Sequence, residues 1–176
     1  MFLGRGWGMK IETQRLRIRK YTEKDFDFLY HLLSDPEMVR YIGQGQTKDE
    51  KGTQQFLNWI YGTYEYGLGR GLMVLEHKTD RTPIGHAGLV PQLIDGMEEL
   101  EIGYWISRDH WGNGYATEAA KALKDYAVIE LEERRLVSLI QAGNLASIHV
   151  ASKLGMELER KMFLNDRKVY LYSSSF

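Results

Sequence analysis

The sequence predicts a mixed α+β fold, with a mostly antiparallel central sheet that carries helices on both faces. Three short segments of strand character follow one another in the middle of the chain, and such a run is typical of antiparallel hairpins. Segments with apolar residues at helical spacing lie on either side of this run. Because strands and helices do not alternate one by one, the pattern argues against a doubly wound nucleotide-binding fold.

Composition places the chain among globular proteins. It has 176 residues, of which 43% are hydrophobic and 27% charged, and this excludes a disordered chain. The net charge of −1 provides no positive field for nucleic acid or an anionic membrane. The chain has no cysteine, which excludes disulfides, thiolate zinc sites and cysteine nucleophiles. We read residues 1–9 as a loose lead-in and residues 10–176 as a single domain.

Further expectations concern location and partners. No stretch reaches the ~20 apolar residues needed to cross a bilayer, and the N-terminus lacks the apolar core of a signal peptide. We therefore expect a cytoplasmic protein with no membrane or nucleic-acid partner, either a monomer or a homodimer. The five histidines are scattered without ligand spacing, so we predict no metal.

The first elements are a strand and a helix. Apolar and basic residues alternate over residues 13–21, which predicts a half-buried strand. Thr22 is expected to cap a helix over residues 23–33. Asp35-Pro36 should end that helix, because the residue before a proline is steered away from helical angles.

The later elements complete the order β α α β β β α β α β β. A second helix is expected to begin at the capping-box spacing of Thr47 and Glu50. Two more helices are predicted over residues 114–131 and 144–153. The remaining strands are predicted over residues 72–76, 84–92, 98–106, 136–141, 156–163 and 168–172.

The segment from Glu99 to Ala120 runs from a strand through a short loop into a helix. Gly112 and Gly114 let the loop adopt positive φ and turn backbone N–H groups toward an anion. The first turn of the helix adds unpaired N–H groups and the positive end of the helix dipole. Neither a Walker sequence nor the third glycine of a dinucleotide fingerprint is present. The pattern therefore indicates either a phosphate site or a plain tight turn.

Gly103, in the strand before this loop, is a second indication of a ligand. Glycine inside a strand often marks a bulge or the close approach of another backbone or a ligand. An extended, amide-bearing ligand can lie along such a strand as an additional strand would. A diphosphate at the loop and an amide-bearing arm along the strand together describe coenzyme A.

These residues resemble the GCN5-related N-acetyltransferase (GNAT) superfamily, in particular its branch of ribosomal-protein N-terminal acetyltransferases. Glu-Ile-Gly-Tyr-Trp-Ile at 101–106 and Trp-Gly-Asn-Gly-Tyr-Ala-Thr-Glu-Ala at 111–119 are similar to the acetyl-CoA motif of that branch. Asn144, Ser147 and the Lys-Leu-Gly sequence at 153–155 are similar to a second family motif. The resemblance covers residues 10–176.

The resemblance implies a GNAT-like sheet and the transfer of an acetyl group from acetyl-CoA to a primary amine in a ternary complex. The amine would belong to a small molecule or to a protein N-terminus. Contacts with coenzyme A are implied for residues of the two motifs, including the loop that joins the two parts of the first motif. They are Tyr104, Trp105, Ile106, His110, Trp111, Gly112, Asn113, Gly114, Tyr115, Ala116, Asn144 and Ser147.

Three positions depart from the superfamily pattern. Asp109 stands where a Gln or Arg often begins the diphosphate loop, so its carboxylate must point away. Ala151 occupies the place of a frequent tyrosine general acid, and Met156 replaces a phenylalanine. The first two departures leave open a non-catalytic acyl-CoA-binding or sensory module on the same fold. A nucleotide-binding α/β protein is a third alternative.

Catalytic roles are implied for Glu101, Ser147 and Asn144. Glu99 and Glu101 are two residues apart on a strand, so we expect each carboxylate to raise the pKa of the other. The match to the family motif favours Glu101 as the general base, acting through a water. Ser147 is the preferred hydrogen-bond donor to the leaving thiolate, with Tyr115 as the alternative. Asn144 is expected both to cap its helix and to contact the coenzyme.

The acceptor side is less defined by the sequence. We expect it to comprise residues 38–46, 68–71 and 93–97. None of these segments carries a dense acidic cluster, and polyamines are therefore the least favoured acceptors.

Overall fold

The computed structural model describes residues 11–176, so the predicted lead-in of residues 1–9 lies outside this range. Within it, eight strands form one sheet. The strands are β1 (Ile11–Glu12), β2 (Leu16–Arg19), β3 (Gly71–His77), β4 (Pro83–Ile94), β5 (Met97–Ile106), β6 (Arg135–Gln141), β7 (Glu157–Leu164) and β8 (Arg167–Ser175).

Five α-helices and three short 3-10 turns complete the part of the chain described by the structure. The helices are α1 (Phe26–Ser34), α2 (Pro36–Val39), α3 (Glu50–Thr63), α4 (Tyr115–Ile129) and α5 (Leu145–Lys153), and the turns are Glu23–Asp25, Tyr64–Tyr66 and Arg108–His110. None of these helices is long and apolar enough to cross a membrane.

The sheet is mixed and mostly antiparallel, as the sequence predicts. Its strand order is β1-β2-β3-β4-β5-β6-β8-β7. Every neighbouring pair is antiparallel except β5 and β6, which are parallel. The chain passes from β5 to β6 through α4, and such a helical crossover is the usual connection between parallel strands.

Helices cover both faces of the sheet, which confirms the predicted layering. Successive residues of a strand point to opposite faces. On β3, Leu75 packs in the core that contains Ala120 of α4, whereas Val74 packs in the core that contains Leu57 of α3. We call these sides the α4–α5 face and the α1–α3 face.

The predicted first strand is wrong in its extent. A turn at residues 13–15 replaces the first three residues of the predicted range 13–21. Only Leu16–Arg19 of that range form a strand, β2, and the short strand β1 precedes the turn. Thr13 closes this turn, because its N–H donates to Leu16 O and its Oγ1 accepts from Leu16 N, both at 2.8 Å. The turn lets two short strands pair with each other instead of forming one long edge strand.

Two helix boundaries also differ from the prediction. Pro36 begins a further helix, α2, because a proline at the first helical position has no N–H to satisfy. Asp35 caps α2, and its carboxylate accepts from Glu37 N at 3.0 Å. Helix α3 is capped by Asp49 rather than Thr47, and the Asp49 carboxylate accepts from Gly52 N at 2.7 Å.

A cleft opens where β5 and β6 diverge. Within the described chain these two strands pair only at Glu101 and Val137. In contrast, every residue of β5 has a partner on β4. The hydroxyl of Ser138 donates to Ile102 O at 2.9 Å just beyond the pair. Past this point, within the described residues, β5 has no strand partner along the edge that faces the cleft.

Candidate active site

The cleft contains a cavity of about 630 Å³. Its walls come from β5 and β6, the loop before α4, the first turn of α4, α5, and α2 with the turn that follows it. Because side chains along a strand point alternately to the two faces of the sheet, these walls are divided between the two faces. Tyr104 and Ile106 point to the α4–α5 face, whereas Trp105 packs on the α1–α3 side.

The glycine loop forms the α4–α5 side of the cavity. Gly112 and Gly114 have φ of +76° and +78°, which confirms the predicted left-handed conformation. Gly114 is the N-cap residue of α4 and gives it no side-chain cap. In the part of the chain that the structure describes, the N–H groups of residues 112–114 donate to no acceptor. The loop therefore presents uncompensated donors and a helix N-terminus at the cavity, as an anion site requires.

Arg15 fixes the start of α4 from outside the cavity. Its guanidinium lies 4.3 Å from the centre of the Tyr115 ring and 2.6 Å from the Glu118 carboxylate. Burial alone would raise the pKa of Glu118, but hydrogen bonds from Thr13 and Arg15 outweigh it and hold the pKa below its ordinary value. These contacts join the first turn of α4 to the beginning of β2.

Side chains of the loop mainly stabilise the loop itself. The indole N–H of Trp111 donates to Ile106 O at 2.7 Å, and Ser107 Oγ lies 2.8 Å from His110 Nδ1. The Asn113 amide donates to the main-chain oxygens of His110 and Trp111 at 3.1 Å. Asn113 is also the one predicted coenzyme contact that does not line the cavity. Asp109 is exposed and lies outside the cavity wall, as its charge requires.

Gly103 leaves the wall of β5 open. A Cβ at this position would meet no atom within 4 Å, and the residue lines the cavity. Because Gly103 alternates with Ile102 and Tyr104, this open space lies on the α1–α3 face, beside the strand edge that β6 leaves unpaired. An extended ligand can therefore approach the β5 backbone here without displacing a protein group.

Glu101 lies on the α1–α3 side of the same wall. Its carboxylate accepts from Gln92 Nε2 at 2.6 Å and from Leu139 N at 3.4 Å. Burial raises the pKa of Glu101 above its ordinary value, against the opposing effect of these two hydrogen bonds. The carboxyl is thus both oriented and made more basic than an exposed glutamate.

The expected mutual effect of Glu99 and Glu101 is wrong. The Glu99 carboxylate is paired with Arg135, whose Nε lies 3.0 Å from Oε2, and Arg135 also contacts Glu159 at 2.8 Å. The pKa of Glu101 is raised by burial and not by its neighbour on the strand. Glu99 is thus held by an arginine and does not line the cavity, whereas Glu101 lines it.

The beginning of α5 brings Asn144 and Ser147 to the cavity. Asn144 caps the helix, since its Oδ1 accepts from Ser147 N at 3.2 Å, and this confirms its predicted structural role. Tyr104 reaches across the cleft from β5, and its hydroxyl donates to Ser147 O at 2.9 Å. Burial raises the pKa of Tyr104, with a smaller contribution from Glu101, so this hydroxyl stays protonated. Ala151 is fully buried and brings no polar group to the site.

The remaining cavity wall agrees only in part with the segments expected on the acceptor side. Residues of α2 and the following turn line the cavity, which agrees with the expectation for residues 38–46, but the segments 68–71 and 93–97 contribute no lining residue. Leu139 and Gln141 of β6 were not anticipated. Their alternation with the core residue Ile140 was the available signal, and it could not reveal that β6 diverges from β5. Among residues 11–176, no three His, Asp or Glu side chains gather as a metal site.

Comparisons with known proteins show the family of the chain. Residues 15–157 match the family model described as Acetyltransferase (GNAT) domain. The uncharacterized protein YkkB of Bacillus subtilis is 37% identical over 93% of this chain and 94% of its own length. The uncharacterized N-acetyltransferase p20 of Bacillus licheniformis is 30% identical over 85% of this chain and 83% of its own length.

A solved structure shows the same fold. RimL, described as a ribosomal L7/L12 α-N-protein acetyltransferase in complex with coenzyme A, superposes with a TM-score of 0.79. The two proteins are 19% identical, and the superposition covers 95% of this chain and 98% of that one. The range matched by the family model includes every predicted site residue of this chain.

Proposed function

This chain belongs to the GNAT acetyltransferase family, and we propose from that premise that it transfers the acetyl group of acetyl-CoA to a primary amine by direct attack in a ternary complex. The observation that carries the proposal is the cavity between β5 and β6. It has free backbone donors on the α4–α5 face and an oriented carboxyl, Glu101, on the α1–α3 face. Two substrates can therefore meet in the cleft from opposite faces of the sheet.

Coenzyme A would occupy the α4–α5 side. The N–H groups of residues 112–114 and the positive end of α4 suit its diphosphate. The unpaired edge of β5 at Gly103 suits the amides of its pantetheine arm, which can bond to the strand as a neighbouring strand does. The coenzyme bound by RimL on a similar fold supports this assignment.

The acceptor must reach the thioester as a neutral amine. At pH 7, deprotonation costs about 1 kcal/mol for an α-amino group and about 4.6 kcal/mol for a lysine-like amine. We assign Glu101 as the general base, acting through a water, because it is oriented by Gln92 and its pKa is raised by burial. A protein N-terminal α-amino group is one acceptor that fits this requirement, and a small amine is another.

The reaction then exchanges a C–S bond for a C–N bond. Glu101 takes the ammonium proton through a water, and the neutral amine nitrogen then attacks the thioester carbonyl carbon. The thiolate leaves with the electron pair of the C–S bond and takes up the second proton that the nitrogen loses. At pH 7, protonation of a thiolate with an ordinary pKa near 8.5 is worth about 2 kcal/mol. Ser147 at the start of α5 is the proposed hydrogen-bond donor to this sulfur, and Asn144 holds that turn of the helix.

The non-catalytic acyl-CoA-binding module is not adopted. The family is described as an acetyltransferase, and the relative from Bacillus licheniformis carries the same activity in its name. The test is thiol release from acetyl-CoA with a panel of primary amines, together with mass analysis of the amine. We expect one acetylated amine for each thiol released. Binding of coenzyme A without turnover of any amine would contradict the proposal.

A further inference from the structure

The α1–α3 side of the cavity is the place left for the acceptor if coenzyme A lies on the other face. On this side, the walls consist of the strand residues whose side chains point to the α1–α3 face, together with α2 and the turn that follows it. Apart from Glu101, the open Gly103 and Gln141, whose amide donates to Gly43 O at 2.6 Å, the inner wall is built from Met38, Tyr41, Ile42, Trp105 and Leu139. These side chains are apolar or aromatic.

The aromatic part of this wall is held rigidly. The Trp105 ring packs against His86, at 4.3 Å between ring centres, and against Phe56, at 5.8 Å, and these two rings also stack on each other at 6.3 Å. Complete burial lowers the pKa of His86 to about 3, so the histidine behind the indole is neutral. Tyr41 packs against the start of the α5 loop, where a Cβ at Gly143 would lie 3.5 Å from its ring. The wall is therefore packed from behind, and the described groups that stack on Trp105 carry no positive charge.

Charge on this side is confined to the rim, with one exception. Among the described residues that line the α1–α3 side, the charged ones are Glu37, Arg40 and Glu101. Glu37 and Arg40 pair at 3.9 Å, and their side chains are 52% and 61% exposed, so they lie at the solvent opening. Glu101 is thus the single carboxyl in the interior of the acceptor half.

This distribution discriminates among amines by charge. A second ammonium on the acceptor would be placed against apolar side chains without a partner, which is costly in a desolvated site. A carboxylate on the carbon that bears the amine would lie close to the Glu101 carboxylate and be repelled by it. An apolar group at the same place would gain contact area with Trp105 and Leu139.

From these contacts we infer that the acceptor is a monoamine whose amine-bearing end carries an apolar or aromatic group and no second charge. The inference rests on the proposed function and specifies its substrate class. The amine can belong to a small molecule or to the first residue of a peptide, since both present the same chemistry to the wall.

Two matched pairs of small amines test the class. Pentylamine and cadaverine differ by one terminal ammonium, and phenethylamine and phenylalanine differ by one carboxylate. With rates corrected for the fraction of neutral amine, kcat/KM for the first member of each pair should exceed that of the second at least ~10-fold, the ratio expected for about 1.4 kcal/mol. Equal or reversed preference in either pair would overturn the inference.

Peptides distinguish the two sources of such an amine. A peptide that begins with phenylalanine should be acetylated faster than the same peptide beginning with aspartate. Comparison of the first peptide with phenethylamine identifies whether a peptide or a small molecule is the better substrate. Equal rates for the two peptides would contradict the inference for peptide acceptors and for the class.

A pair of variants in the wall supplies the control. Ile42→Asp and Ile42→Asn have side chains of nearly the same size, and only the first adds a carboxylate to this partly exposed turn. Ile42→Asp should reduce the preference for pentylamine over cadaverine about 5-fold, the effect of about 1 kcal/mol for a partly exposed ion pair, and Ile42→Asn should not. An unchanged preference in Ile42→Asp would overturn the placement of the acceptor.

Failure of the inference and failure of the proposed function give different results. Turnover that favours cadaverine or phenylalanine would leave acetyl transfer intact and reject the monoamine class. No thiol release with any amine, while acetyl-CoA binds, would reject the proposed function and the inference together.

Discussion

At the scale of single residues, Glu101 differs from Glu99 in what surrounds its carboxylate. Glu101 is enclosed by the cavity wall and oriented by Gln92, whereas Glu99 is neutralised by Arg135. Glu101→Gln keeps the size of the side chain and removes its ability to accept a proton. Turnover at pH 7 should fall about 10²–10⁴-fold, the usual contribution of a general base, with little change in acetyl-CoA affinity.

Two controls accompany this measurement of kcat and acetyl-CoA Kd. Raising the pH should recover part of the loss in Glu101→Gln, because more of the amine is then neutral. Glu99→Gln should leave turnover near that of the parent, since its partner Arg135 lies outside the cavity wall. A parent-like rate for Glu101→Gln would remove the residue from the mechanism.

Ser147 should matter less than Glu101. Its proposed hydrogen bond to the leaving sulfur is worth at most about 2 kcal/mol, and water can replace it. Ser147→Ala should therefore reduce kcat by less than ~30-fold and by less than Glu101→Gln does. A larger loss for Ser147→Ala than for Glu101→Gln, with coenzyme binding intact, would make Ser147 the principal catalytic group.

At the scale of elements, the glycine loop acts through the shape of its backbone. Gly114 has φ of +78° at the N-cap of α4, a conformation that β-branched residues avoid. Gly114→Val should turn the loop N–H groups away and crowd the diphosphate, which should weaken coenzyme A binding at least ~10-fold, or about 1.4 kcal/mol. Isothermal titration with coenzyme A measures this change.

The turn between β4 and β5 provides a matched control. Gly96 has φ of +80° and no neighbour within 4 Å of a Cβ, but it does not line the cavity. Gly96→Val should lower stability through the same backbone strain and leave the affinity for coenzyme A unchanged. If the two valine variants bound coenzyme A equally well, residues 112–114 would not form the phosphate site.

The loop could be predicted because its chemistry is local. Glycines at positive φ and the free N-terminus of a helix need only the residues of one short segment. Helix α2 was missed because Asp35-Pro36 permits both an end and a beginning, and the sequence does not distinguish them. The roles of Glu99 and Tyr104 depend on distant partners. Arg135 lies 36 residues after Glu99, and Ser147 lies 43 residues after Tyr104.

At the scale of the whole molecule, the mixed sheet and its two helical layers could be predicted from the alternation of elements, but the cleft could not. The divergence of β5 from β6 depends on how these two strands, which are separated by α4 in the chain, are placed in the sheet. It leaves no local sequence pattern in either strand. The sequence therefore indicated a coenzyme site, whereas the two-sided cavity is a property of the folded sheet.

Stability in acid depends on a buried ion cluster at the β2–β3 side of the sheet. Arg19 contacts Asp25 at 2.8 Å and Glu76 at 2.6 Å, and both carboxylates are nearly buried. Burial would raise the pKa of each carboxyl. The hydrogen bonds from Arg19, together with those from Thr22 to Asp25 and from Arg81 to Glu76, outweigh burial and lower both pKa values. A lowered folded pKa gives stability that is present above the unfolded pKa and is lost as pH falls through the folded value. The free energy of unfolding should therefore decrease below about pH 4.

Replacement of Arg19 tests this contribution. Arg19→Gln should reduce the free energy of unfolding at pH 7 by about 3 kcal/mol, because Asp25 loses its arginine partner and Glu76 keeps only the more exposed Arg17 and Arg81. The difference from the parent should shrink in acid, where the carboxyls are protonated. Arg40→Gln, which breaks the exposed pair with Glu37, should cost less than ~1 kcal/mol. Urea unfolding at neutral and acidic pH measures both, and a loss independent of pH would contradict the role assigned to the cluster.

The central claim is that coenzyme and acceptor enter one cleft from opposite faces of the sheet. A crystal structure with coenzyme A and an acetylated monoamine tests it most directly. The account predicts the diphosphate at the N–H groups of residues 112–114, the sulfur between β5 and β6 near Ser147, and the amide nitrogen on the Glu101 side. Coenzyme A bound away from the glycine loop, or an acceptor on the same face as the coenzyme, would contradict it.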